Sequence, residues 1–110
     1  MNDAIVTLDV IAVFQNGQEV ALTARIGRAQ PEGPGAWVCP VELAPVYREP
    51  MNVKGVDSFH ATWLACSLVL KLFAHLRDEK VLLRHADGST FPLEAYLAGL
   101  GGGPQDAAGG

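Results

Sequence analysis

A chain of 110 residues, 49% apolar and 18% charged, is one domain's worth of sequence and can close a core without metal or disulfide staples. The net charge is −4, and the eight Lys and Arg residues are scattered along the chain. That argues against nucleic-acid binding, which rests on a basic face meeting phosphates.

The opening Met1–Asp3 is polar, so no signal peptide is expected there. Ala4–Phe14 reads as a strand, with Val6, Leu8, Val10, Ala12 and Phe14 on one apolar face and Thr7 and Asp9 on the other. Gln18–Ile26 follows as a second strand, its apolar face carrying Val20, Leu22, Ala24 and Ile26. The loop between them can be read from which faces must match. A two-residue Asn16-Gly17 loop sets apolar Val10 against Thr23, whereas a three-residue Gln15–Gly17 loop sets Val10 against Leu22 and Leu8 against Ala24. Burial fixes register, so the longer loop is expected, with Gly17 left-handed in a bulge.

Gly27–Gly35 holds two prolines and three glycines and is expected to be an irregular loop. Ala36–Leu43 is a third strand, with Trp37, Cys39, Val41 and Leu43 facing one way. Pro40 lacks an N–H, which suggests an edge position or a bulge. Ala44–Lys54, with Pro45 and Pro50, reads as a linking stretch. Asp57 or Ser58 then caps a helix running to about Asp78. His60, Ser67, Lys71, His75 and Asp78 fall on one narrow polar arc, interrupted by Leu64. The remainder is apolar, with Phe59, Trp63, Cys66, Leu70 and Phe73 on one flank and Leu68, Val69, Leu72 and Leu76 on the other. Lys80–His85 is a fourth strand, Asp87-Gly88 a turn, and Ser89–Phe91 a short return strand. Pro92 opens a short helix over Leu93–Leu97.

The expected fold is α+β: an antiparallel sheet of three to five strands packed on one long helix, in the order β-β-β-α-β-(β)-α, in two layers. Residues 1–98 form the domain, and 99–110 form a flexible Gly-rich tail. The apolar run Trp63–Leu70 falls short of the ~20 residues of a membrane span, so no membrane contact is expected. Cys39 and Cys66, set in apolar runs, read as reduced core thiols in a reducing, cytoplasmic compartment.

Catalytic and metal motifs are absent from the sequence. His60, His75 and His85 with the two cysteines lack the close pairs of zinc sites, and Cys66 lies about 120° around the helix from His60. There is no Gly-x-Ser-x-Gly elbow, and neither cysteine has a base beside it. Asp78-Glu79 is a solvated helix end, and Asp9 a solvent-facing strand residue. The Gly-rich run at 99–103 lacks the Gly-Lys-Ser/Thr of a phosphate loop. No cofactor is therefore expected.

Trp37–Leu43, Gly55–Ala61 with its leucine-rich helix, and Phe91–Tyr96 resemble a small uncharacterised bacterial family, a domain of unknown function, over about Val6 to Leu97. The resemblance implies a bacterial source and carries no site residues.

One feature exceeds what an amphipathic helix needs. Its apolar arc covers well over half the circumference, against a stripe of ~100° or somewhat more for a helix packed on one side. The Leu68, Leu72, Leu76 flank needs cover beyond the sheet, either within the chain from Leu93, Tyr96, Leu97 and Val46-Tyr47 or from a partner, since an apolar patch left bare marks a partner surface. The expectation is a non-enzymatic protein-binding module, most specifically an immunity-type protein that occludes a cognate bacterial toxin. Its interface candidates are His60, Leu64, Ser67, Leu68, Lys71 and His75. The alternatives are a small enzyme or ligand-binding domain using His60, Ser67, Lys71 and His75, or a homodimer of unrelated role.

Overall fold

The computed structural model describes residues 3–47 and 49–98, and the expected tail at 99–110 lies outside them. The protein is α+β, with an antiparallel six-stranded sheet and one long helix. In chain order the strands are β1 (Ala4–Val13), β2 (Glu19–Gly27), β3 (Gln30–Gly33), β4 (Ala36–Ala44), β5 (Met51–Gly55) and β6 (Leu82–Arg84). The helix α1 (Ser58–Asp78) lies between β5 and β6, and a short α2 (Leu93–Leu97) closes the described chain.

The first hairpin has the expected register: Ala12 faces Val20, Val10 faces Leu22, Leu8 faces Ala24 and Val6 faces Ile26. Gly17 turns at φ 88°, its N–H bonds the Phe14 carbonyl, and Phe14 N–H bonds the Gln18 carbonyl, both at 2.9 Å. This is the three-residue loop with a left-handed glycine, whereas a two-residue loop would set the apolar face of one strand beside the polar face of the other.

Four segments depart from expectation. Gln30–Gly33 is not irregular loop: it continues alongside β4, with Pro31 opposite Trp37. Among the described residues only β4 pairs with it, so a residue without an N–H is tolerated on its outer side. Met51–Gly55 is not linker: it pairs with Trp37–Val41 on the other side of β4. Met51 and Val53 are half-buried there, while Asn52 and Lys54 are exposed. Five strands thus precede the helix rather than three. The fourth expected strand contracts to Leu82–Arg84, and the return strand at Ser89–Phe91 contracts to a single bridge, Arg84 to Thr90.

β4 is therefore an inner strand, not an edge. Pro40 falls in a gap between two ladders, since β2 pairing ends at Ile26–Val41 and β3 pairing begins at Gln30–Val38. Backbone groups alternate along a strand, so the missing N–H of Pro40 would point into that gap and no ladder bond is lost.

The core lies between the sheet and α1. Ala12, Cys39, Val41, Ala61, Ala65 and Phe73 are wholly buried, with Val10, Leu22 and Leu43 barely accessible. The helix packs chiefly on β4 and β5. Alanines at 61 and 65 let its backbone approach closely there. By length and composition alone α1 could cross a membrane, with mean hydropathy 1.3. In this fold its Ala61, Ala65, Val69 and Phe73 face forms the core.

Candidate interaction surface

The helix begins at Asp57, whose Oδ1 accepts from His60 N–H at 2.7 Å. His60 returns the favour through its ring: Nδ1 accepts from Val56 N–H at 3.0 Å. Two amide groups at the helix start are thus satisfied reciprocally, as in a capping box. His60 is a capping residue in this geometry. It lines a shallow hollow of about 300 Å³ with Asp57, Phe59 and Trp63.

Phe59, Trp63, Cys66, Leu70 and Phe73 follow one another at spacings of four and three, forming one line along α1. Accessibility falls along that line, from 75% at Phe59 and 43% at Trp63 to 9% at Leu70 and 0% at Phe73. The stripe climbs out of the core toward the helix N-terminus. Val56 extends the apolar exposure there, at 63%.

Because α1 lies over β4 and β5, the opposite end of the sheet is only partly covered. An apolar cleft of about 130 Å³ opens there, between Val6, Leu8, Ala24 and Ile26 of the sheet and Cys66, Val69 and Leu70 of the helix, with Tyr96 of α2 beside them. A third hollow, about 360 Å³, lies between α2 and the β6 region, near the ion pair of Arg77 with Glu94.

The residues expected at an interface do not form one surface. Ser67 is 3% exposed, so the polar arc is not a continuous solvated stripe. Lys71 and His75 are exposed, and Leu64 and Leu68 are half-buried. None of the three hollows takes in Ser67, Lys71 or His75. The Leu68, Leu72, Leu76 flank, which either the chain itself or a partner could cover, is half-buried throughout. Bare apolar surface lies on the other flank instead, at Phe59 and Trp63. Periodicity marks the stripe those residues belong to but not its depth, which is set by where the helix lies on the sheet.

Ionisable groups add little chemistry. Burial pushes both thiols above the ordinary cysteine range; a hydrogen bond with Thr62 partly offsets this for Cys39, and the nearby Cys66 adds to it. Such thiols are neutral and poorly nucleophilic at neutral pH. The Ser89 hydroxyl, with its backbone N–H, holds the Asp87 carboxyl below the usual carboxylate range. Both bonds belong to the turn after β6, at 2.6 and 2.9 Å. Asp9 accepts from Thr23 Oγ1 at 2.7 Å on the exposed face of the sheet. Among the described residues no three His, Cys, Asp or Glu side chains gather where one ion could be held.

The chain matches no family model, no curated protein and no solved structure. The resemblance drawn from its three short stretches rests on those residues alone.

Proposed function

We propose that this chain is a protein-binding module without chemistry of its own, which docks a partner on the N-terminal end of α1. The observation that carries the reading is the exposure of Phe59 at 75% beside Trp63 at 43%. Large aromatic side chains left in water cost hydration free energy that a partner's surface recovers, and such anchors dominate binding energy. The net charge of −4 favours a basic partner and speeds the encounter with one. The specific form is an immunity-type protein that occludes a toxin, which needs shape and charge complementarity but no catalytic group.

The test compares tagged wild type with Phe59→Asp, Trp63→Asp and, as a control, Leu82→Asp at another exposed apolar site. One stoichiometric companion is expected with wild type and with the control. Each aromatic replacement should weaken it by at least ~2 kcal/mol, about 30-fold, with the fold intact by circular dichroism. Equal retention by all four proteins removes the surface from consideration, and no companion at all sinks the module reading. The immunity form further requires that the companion arrest growth alone and lose that effect on co-expression.

A further inference from the structure

Among the described residues, the first half of β1 has one unpaired edge. β2 pairs with β1 along its whole length, but on the other side β6 reaches only Ile11, Ala12 and Val13. Among the described residues no strand pairs with Ala4–Val10 on that side.

The direction of the backbone groups follows from the hairpin. Phe14 N–H bonds the Gln18 carbonyl, so it faces β2. Groups alternate along an antiparallel strand, so the even residues from Val6 onward face β2. Thr7 and Asp9 turn their N–H and C=O groups to the bare edge, and Ile11 and Val13, of the same parity, meet β6.

Exposed edges are ordinarily blunted by lysine, proline or a bulge. Here the register irregularity sits at the outermost end, between Ala4 and Val6. Val6 to Val10 reads Val-Thr-Leu-Asp-Val, with no Lys, Arg or Pro. The single charge, Asp9, is held toward β2 by the Thr23 hydroxyl at 2.7 Å.

We propose that this edge pairs antiparallel with β1 of a second copy, about a two-fold axis through Thr7. That axis gives the strand the most hydrogen-bonded pairs with itself, Thr7 with Thr7 and each Ile5 with the other Asp9. Thr7 meets Thr7 and the two exchange backbone hydrogen bonds. Val6 meets Leu8 on the cleft face, and Asp9 meets Ile5 on the outer face, so no like charges oppose each other. An axis at Asp9 would set two carboxylates side by side. An axis at Ile5 falls on the register irregularity, and one at Val6 would set Asp9 against Asp3 of the other copy. An axis at Leu8, a non-hydrogen-bonded pair, leaves only Thr7 and Asp9 to bond across the seam, because Ile11 is already taken by β6. Val6 is 43% exposed at the cleft rim, and the second copy's Leu8 would cover it. The dimer is independent of the surface at Phe59 and Trp63 and leaves it free in both copies.

The full chain is examined by light scattering and sedimentation over a wide concentration range. A mass twice 11.7 kDa is expected at high concentration, with loss of the dimer in Thr7→Lys, which opposes two like charges at the axis. Two cysteine variants decide the geometry even if the lysine variant fails to fold. In a hydrogen-bonded antiparallel pair the Cα atoms stand about 5.5 Å apart, within disulfide reach. Under diamide, Thr7→Cys should therefore form a covalent dimer in high yield, while Asp9→Cys, facing Ile5 of the other copy, should not. A monomer at every concentration overturns the proposal. So does equal crosslinking of the two cysteine variants, or a strand from a different protein occupying the edge.

Discussion

Gly55 sets the distance between sheet and helix. A Cβ placed there would stand 2.7 Å from Ala61 Cα and closer still to the Ala61 nitrogen. These are backbone atoms in the first turn of α1, already held by the Asp57 and His60 caps, so nothing flexible can give way. Gly17 is a contrasting case, because a Cβ there meets open space and only its φ of 88° requires glycine. Gly55→Ala is predicted to destabilise the fold by about 1–3 kcal/mol through overpacking. A denaturant melt should show a lower midpoint at unchanged slope, since the same surface unfolds. A variant as stable as wild type would mean that the helix start lies farther from β5. Nothing in the sequence around Gly55 announces this need, because the contact is made by the fold and not by the local chain.

At the scale of elements, the end of α1 is built less economically than its start. Lys80 N–H bonds the Arg77 carbonyl and Val81 N–H bonds that of Leu76, at 2.9 and 3.0 Å, with Lys80 at φ 68°. This is a Schellman ending, in which the left-handed residue is usually glycine. A residue with a Cβ is strained there by ~1–2 kcal/mol, while glycine's extra freedom in the unfolded chain takes back about 0.4–1. Lys80→Gly should therefore stabilise the protein by about 0.5–1 kcal/mol, read as a higher midpoint in urea; a neutral or lower midpoint would refute the strain. The helix itself was legible because Asp57 and twenty-one residues of apolar periodicity mark it. The first hairpin was legible because one buried face permits one register. β3 and β5 were not, for the same reason in both: prolines flank or occupy them. Pro31 sits in β3 on the outer side of the sheet, where its missing N–H costs no ladder bond. In β5 the alternation of Met51, Asn52, Val53 and Lys54 was present, but over too few residues to outweigh Pro45 and Pro50.

For the molecule as a whole, one stripe of α1 passes from core to surface, and that gradient makes the two ends respond differently to the same change. Phe73 is wholly buried and meets the ring of Phe91 edge-on at 5.8 Å, and Phe91 in turn stacks on Tyr96 at 4.9 Å. Phe59, fourteen residues earlier on the same line, is 75% exposed. The sequence displayed the surplus of apolar surface but not which flank would carry it, since both flanks of the helix are apolar. The helix's position over β4 and β5 decided the matter. Phe73→Ala should cost about 3–5 kcal/mol, because it removes buried area and leaves a cavity among close-packed neighbours. Phe59→Ala should change stability by no more than ~0.5 kcal/mol, since little of its ring leaves water on folding. Urea melts of the two variants against wild type, run dilute so that self-association does not contribute, make the comparison directly. If Phe59→Ala also cost more than ~2 kcal/mol, Phe59 would be covered in the free chain, and the end of α1 would be core and not a surface for a partner.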